Sequence, residues 1–585
     1  MARAMAAGAG ELRRVCLWKK QRAAAAAAGM EGLMREMENG KVAAEDAAQA
    51  FVNAYYALML DQALAAAPRL RDFMGPTQDA RVRSFRELDA AYTALSRDMA
   101  VAKIAATLPT GLADKAAKSS ELGILRHECE KKTRHKPVRR LLEAVPELAA
   151  RLKPCFLMSP LSVAQFLPPD GKGFADFDLV VFDEASQIPV WDAIGVIARG
   201  RQLIVVGDQK QMPPTSFFQK GDDESDADEG GAEDLESVLD ECIAAGVPSS
   251  YLRWHYRSRH ESLIAFSNRH YYEGRLFTFP AAADRPWLGV KHVFVPDSPY
   301  ARSKRVNEGE ARALVAHVVE RLQNPETAGK SIGVVTFSQA QRELIEDLME
   351  EARAAHPELE KYFSDEAPEP FFVKNLENVQ GDERDVILFS IGYAPDAHGK
   401  FYMNFGPLNR QGGERRLNVA ITRAKEQVIV FASVSSTRID LGRTGATGAA
   451  HLKAFLEYAE RAGAGGVPAT AAAKEEKVFA PVVAKFLRER GFDVATDVGC
   501  SAYRVDVAVR HPRRPGEYVL GVECDGAAYR DAVTVRDREE TRAGVLKGLG
   551  WNLHRAWVVE WWHDPEAARA KLLKAVEDAL RAAGA

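Results

Sequence analysis

The sequence predicts an α/β protein: parallel sheets that carry the chemistry, a helical region before them and a smaller α/β unit after them. Three observations carry that prediction. Residues 178–218 hold two apolar runs, 179–182 and 203–206, separated by a helix-length segment that Gly200 stops. Similar runs recur at 331–337 (SIGVVTF), 386–391 (VILFSI) and 428–432 (VIVFA). Short apolar runs alternating with helical segments are the pattern of strands buried on both faces of a parallel sheet. Residues 1–150, by contrast, are rich in Ala, Arg, Glu and Leu, with six consecutive alanines at 23–28, and Ala is the strongest helix former.

Composition bounds the function. A chain of 585 residues is long enough for roughly three to five domains. With 46% hydrophobic and 27% charged residues it is globular in composition, and a net charge of −4 means that any nucleic-acid surface must be local. The six cysteines (Cys16, Cys129, Cys155, Cys242, Cys500, Cys524) show no CxxC spacing, which argues against a zinc site or a disulfide framework and for a reducing compartment. No apolar segment is long enough to span a membrane, and the first ten residues lack the apolar core of a signal peptide. A cytoplasmic location is expected.

Taken in order, residues 1–150 are expected to be helical, with a basic run at 131–136 and at Arg139 and Arg140 that reads first as a solvated helix face. Residues 151–248 hold the first α/β pattern, interrupted at 222–236 by nine acids and several glycines that read as a solvated loop. Residues 249–440 form a second α/β block, and 441–473, rich in Gly and Ala, is expected to be a linker around a short amphipathic helix. Residues 474–585 open with a helix whose stripe is Val478, Phe479, Val482, Val483, Phe486 and Leu487, ended by Gly491. Strands at 503–510 and 518–525, a charged helix near 535–549 and a Trp-rich strand at 551–558 complete it. His554 and the tryptophans Trp551, Trp557, Trp561 and Trp562 read as packing residues.

The first apolar run ends in Asp183-Glu184, and the second in Gly207-Asp208-Gln209 with Gln211 close behind. In parallel sheets chemistry collects at the carboxyl ends of the strands. Two acids there suit a nucleotide–magnesium site, one holding the metal through water and the other polarising an attacking water.

Three further segments follow in order: LRWHYRS at 252–258, NVQGDE at 378–383 and RLNVAITRAK at 416–425. Together with GDQKQMPP at 207–214, they resemble the ATPase and coupling motifs of superfamily 1 helicases, in particular the branch of the nonsense-mediated-decay and Okazaki-fragment helicases. The resemblance covers about 150–435 and implies two RecA-like lobes, the first incomplete. It implies that Asp183 holds Mg²⁺ through water, Glu184 activates the hydrolytic water and Gln211 senses the γ-phosphate of ATP. Arg257 and Arg423 would be arginine fingers, and Gln380, Gly381 and Glu383 would meet the nucleotide, Glu383 at the ribose. Such motors also need GxxxxGK[ST] to cradle the phosphates, and no such run precedes Asp183. Ala328-Gly329-Lys330-Ser331 is a decoy, with Asn324 where the first glycine belongs and a strand where a helix should follow. The expectation is either a C-terminal part of a larger or split motor, with 1–150 a remnant of a helicase insertion and the cradle supplied by other sequence, including a separate polypeptide, or a chain whose ATP binding is crippled.

In the last block Asp506 lies on one expected strand, and Glu523 and Asp525 lie two apart on the next. Residues i and i+2 of a strand face one side, so the three carboxylates are expected to converge around a divalent cation, Mg²⁺, for phosphodiester hydrolysis. Glu476, with Glu475 as alternate, could complete the site. The segments YRVDVAV at 503–509, VECDG at 522–526 and GWNLHR at 550–555 resemble the PD-(D/E)xK fold of very-short-patch-repair endonucleases, over about 474–570. The departure is Asp525, where the general pattern has lysine.

These resemblances imply an ATP-dependent DNA helicase or translocase fused to a Mg²⁺-dependent DNA endonuclease, in DNA repair or defence against foreign DNA. The alternatives are a metal-dependent nuclease with a motor that only binds nucleic acid, and a non-enzymatic partner that completes a split motor.

Overall fold

A computed structural model describes residues 2–108, 117–167, 177–214, 237–364, 368–462, 477–501, 503–530 and 532–584. The acidic loop at 222–236 and the candidate ligands Glu475 and Glu476 lie outside the described residues. The chain divides into two compact units: Met1–Ser84 with Trp557–Ala568, and Phe85–Ala556 with Arg569–Ala585. The first unit is helical, as its alanine content predicts, with helices Ala2–Ala27, Glu31–Glu38 and Ala47–Ala66. In it the Trp557 indole packs edge-on against Phe73 and donates to Asp79 Oδ1 at 2.9 Å. Among the described residues no helix is long and apolar enough to cross a membrane.

The second unit begins its α/β structure with two parallel strands, β1 (Val180–Phe182) and β2 (Leu203–Val205), linked by the helix Val190–Ile197. Val180, Phe182, Ala185, Ala193 and Val238 close a small apolar core on one face of this sheet. On the other face Val181 is 55% and Ile204 48% exposed.

The second lobe is a five-stranded parallel sheet of β3 (Gly289–Phe294), β4 (Ile332–Thr336), β5 (Phe372–Asn375), β6 (Arg384–Ser390) and β7 (Ala424–Ala432), in the order β3-β7-β6-β4-β5. Alternation along the strands feeds two cores. Ile387, Phe389, Val428 and Val430 point into one, and Val386, Leu388, Ile429 and Phe431 into the other. The stretch expected to be a linker differs. Its helix, Thr447–Ala462, buries Leu452, Phe455, Leu456 and Ala459 completely in the first of those cores. The glycine and alanine composition misled here, because small residues also permit close helix packing.

The C-terminal domain is a four-stranded sheet of β8 (Val494–Val498), β9 (Val505–Arg510), β10 (Tyr518–Cys524) and β11 (Leu553–Ala556), in the order β11-β10-β9-β8. β8 and β9, and β9 and β10, are antiparallel, while β10 and β11 are parallel. The expected Trp-rich strand stops at Ala556, and 558–563 turn helical. This domain is welded to the second lobe through the segment 277–284. Trp551 Nε1 donates to Pro280 O at 2.7 Å, and Tyr518 N to Ala282 O at 2.8 Å. Thr278 Oγ1 and Cys500 N both donate to the Glu261 carboxylate, at 2.6 and 3.0 Å. Phe279 and Ala282 share one apolar core with Val505, Ala508, Leu546 and Trp551.

Candidate functional site

Val180 and Phe182 anchor β1, so the chain emerges into solvent at Asp183 and Glu184. Glu184 has φ 50° and ψ 39°, the left-handed region that costs a non-glycine residue about 1 kcal/mol. Backbone strain of this kind gathers where side-chain placement matters. The turn is held by the Glu184 N–H, which donates to Asp183 Oδ1 at 3.0 Å, and by Ala185 N, which donates to Val206 O at 2.9 Å. Gly207 permits this closeness, since a Cβ there would lie 3.0 Å from Ser186 N and 3.1 Å from Ala185 N.

The loop after β2 is latched to the second lobe. The Asp208 carboxylate accepts from Lys210 N at 2.8 Å, from Gln211 Nε2 at 3.2 Å and from the Tyr272 hydroxyl at 2.7 Å. Asn418 Nδ2 donates to Lys210 O at 2.8 Å and to Tyr272 Oη at 3.1 Å. Met212 is buried in the second lobe's core. Burial, then the Asp208 charge, push the Tyr272 phenol well above its ordinary range.

Facing this loop, Arg257 Nε pairs with Glu383 Oε2 at 3.1 Å, and Lys425 Nζ lies 3.4 Å from Glu383 Oε1. Arg423 is buried in the turn between the helix Gly413–Ile421 and β7, donating Nε to Val419 O at 2.8 Å and Nη2 to Thr422 Oγ1 at 3.1 Å. Burial and then the Arg257 cation lower its basicity, opposed by the carboxylates of Glu184 and Glu383. The structure thus brings Glu184, Arg257, Glu383 and Arg423 into one electrostatic neighbourhood, at the boundary of the two lobes. Gln380 precedes Gly381, which has φ 90°. Both polar atoms of the Gln380 amide are buried without a hydrogen-bond partner among the described residues. A buried unpaired amide is costly, and a polar ligand such as a nucleotide would supply its missing donor and acceptor. Asp208, Asn418 and Lys425 were overlooked as site residues although they lie within the motifs. Tyr272 had no signal in the sequence.

In the C-terminal domain the expected convergence of carboxylates is not what the structure places. Asp506 Oδ1 lies 2.8 Å from Lys477 Nζ, and Oδ2 accepts the Cys524 N–H at 2.8 Å. Glu523 is buried and paired on both oxygens, with Arg542 at 3.1 Å and with Arg555 at 3.1 Å. β10 ends at Cys524, so Asp525 sits in the following turn, where strand alternation no longer applies. Among the described residues no three His, Cys, Asp or Glu side chains come together to hold a metal ion. The described residues therefore do not fit the expected Mg²⁺ at Asp506, Glu523 and Asp525. Burial would lower the Lys477 ammonium, but the Asp506 charge and hydrogen bonds to Asp497 and Asp506 outweigh it, and the net shift is upward.

Residues 235–435 match a family model described as an AAA domain, and residues 479–576 match the restriction-endonuclease-like model REase_MTES_1575. The chain is 31% identical over 448 residues to the uncharacterized ATP-dependent helicase MG140 homolog of Mycoplasma pneumoniae, covering 73% of this chain and 39% of that protein. It is 28% identical over 270 residues to the DNA replication ATP-dependent helicase/nuclease DNA2 of Gallus gallus, covering 45% and 24%. With the regulator of nonsense transcripts 1 homolog of Drosophila melanogaster it shares 25% over 268 residues, covering 43% and 20%. The chain thus spans 39% of the length of the first of these relatives and less of the other two.

Proposed function

Because this chain joins a superfamily 1 helicase region to a restriction-endonuclease-like domain, we propose that it works as an ATP-driven motor on DNA with an attached endonuclease. The gathering of Glu184, Arg257 and Glu383 around the Arg423 guanidinium carries this reading. When bound, ATP with Mg²⁺ supplies the phosphoryl group and a neutralising cation. Asp183 would hold the metal, Glu184 would accept the proton of the attacking water and Gln211 would sense the γ-phosphate. Arg257 and Arg423 stabilise the charge that spreads over the phosphoryl oxygens. Glu383 would meet the ribose, and Gln380 with Gly381 would line the nucleotide edge. Because the arginines belong to one lobe and the acids to the other, hydrolysis is coupled to the closure of the lobes, which moves single-stranded DNA.

We place the motor in the branch of the nonsense-mediated-decay and Okazaki-fragment helicases, and the nuclease in the PD-(D/E)xK class, with Asp506 and Glu523 as its acids. DNA repair or defence against foreign DNA, in the cytoplasm, is the role we assign. Alternatively, the phosphate cradle is supplied in trans and the chain alone only binds nucleic acid; the exposure of Val181 and Ile204 on the outer face of β1 and β2 favours this. ATP hydrolysis by the chain, with and without single-stranded DNA, separates the two. DNA-stimulated hydrolysis that Glu184→Gln abolishes supports the motor, and no hydrolysis leaves only the alternative.

A further inference from the structure

The endonuclease-like pattern calls for a lysine two residues after Glu523, and the sequence has Asp525 there. The folded domain brings a lysine to Asp506 from elsewhere. Lys477 lies just before the helix Phe479–Glu489, and its Nζ is 2.8 Å from Asp506 Oδ1 and 2.7 Å from Asp497 Oδ1. We propose that Lys477 is the catalytic lysine of this domain, supplying from the helix side the cation that β10 lacks. This rests on the reading of the domain as a nuclease.

The neighbouring cations leave this position to Lys477. Arg542 and Arg555 are paired with Glu523, and Arg504 is paired with Asp497 at 2.6 Å and donates Nε to Ser501 O at 2.8 Å. An ammonium has three donors. Two of those on Lys477 are held by Asp506 and Asp497, and the third is uncommitted among the described residues, on a side chain that is 36% exposed. It is open to a phosphate oxygen. Asp497 is a positioning residue: it bridges Lys477 and Arg504 and has φ 59°, an uncommon backbone for a residue other than glycine. A fixed ammonium beside Asp506 meets the charge that grows on the phosphate. In that step a water oxygen bonds to phosphorus as the phosphorus–oxygen bond to one sugar breaks. One water proton leaves to solvent and the departing sugar oxygen takes one up, so no electrons are transferred. Fixed charge of this kind contributes about 10²- to 10³-fold in rate.

The test is single-turnover cleavage of a DNA duplex and of single strands by the full chain, in the presence and absence of Mg²⁺, alongside DNA affinity and thermal melting. Lys477→Met is expected to lose about 10²- to 10³-fold in the saturating rate, with DNA affinity and melting temperature unchanged, and Lys477→Arg to recover part of the rate. Should Lys477→Met not fold, Lys477→Gln and Asp497→Asn carry the same comparison. Cleavage by Lys477→Met at the wild-type rate overturns the assignment, as does a loss that lies wholly in DNA affinity. A wild-type chain that cleaves nothing under any of these conditions overturns the nuclease reading itself.

Discussion

Tyr272→Phe isolates the latch between the lobes. The substitution keeps the buried ring and removes one hydroxyl, which donates to Asp208 Oδ2 at 2.7 Å and accepts from Asn418 Nδ2 at 3.1 Å. A hydrogen bond to a charged group is worth about 1.5–3 kcal/mol. Asp208 keeps Lys210 N and Gln211 Nε2, and Asn418 keeps Lys210 O, so the loop loosens without losing every tie. Local opening of the 207–212 loop should therefore become roughly 10- to 150-fold more frequent. Amide hydrogen exchange on peptides spanning 178–214 reads this directly, with peptides from β6 and β7 as the internal control. Faster exchange confined to the first-lobe peptides is expected. Unchanged exchange there, or an equal rise across the second lobe's strands, refutes the role given to Tyr272.

Two further predictions follow from the packing and the charges. Trp551 is 3% exposed and donates its indole N–H to Pro280 O, so Trp551→Ala should cost about 3–5 kcal/mol. In urea unfolding the C-terminal domain should then melt before the second lobe, and a single transition at the wild-type midpoint would show that the weld is not structural. His255 is pushed down to about 4 by burial and then by Arg257, from an ordinary value of 6.5. The folded state thus binds the proton less well than the unfolded chain, so this stability is fully present above about pH 6.5 and lost as pH falls towards 4. At pH 5 the loss is about 2 kcal/mol, and His255→Gln should flatten the fall in urea midpoint between pH 7.5 and pH 5. An equally steep fall in the variant contradicts it.

Much of the fold was legible because parallel strands leave strong signatures. The runs at 331–337, 386–391 and 428–432 became β4, β6 and β7, since each strand is buried on both faces and must be apolar throughout. β8 was missed, as its middle residues Thr496 and Asp497 are exposed and polar. A helix is legible within 441–473, but not its burial, because the glycines and alanines around it look the same in a flexible linker and in a tight packing face. At the candidate motor site, the acids and arginines stood out through strand ends and ordered motifs, whereas Tyr272 contributes one hydroxyl that no local pattern marks. At the nuclease site, alternation was extended one residue past the end of β10, to Asp525. Lys477 was invisible because it reaches Asp506 across 29 residues of chain.

The most direct measurement follows ATP hydrolysis and DNA cleavage in the same reaction, comparing the wild-type chain with Glu184→Gln and Asp506→Ala. Glu184→Gln is expected to lose DNA-stimulated hydrolysis while cleavage in the absence of ATP persists, and Asp506→Ala to lose cleavage while hydrolysis persists. Neither activity in the wild-type chain, or hydrolysis that survives Glu184→Gln unchanged, would contradict this.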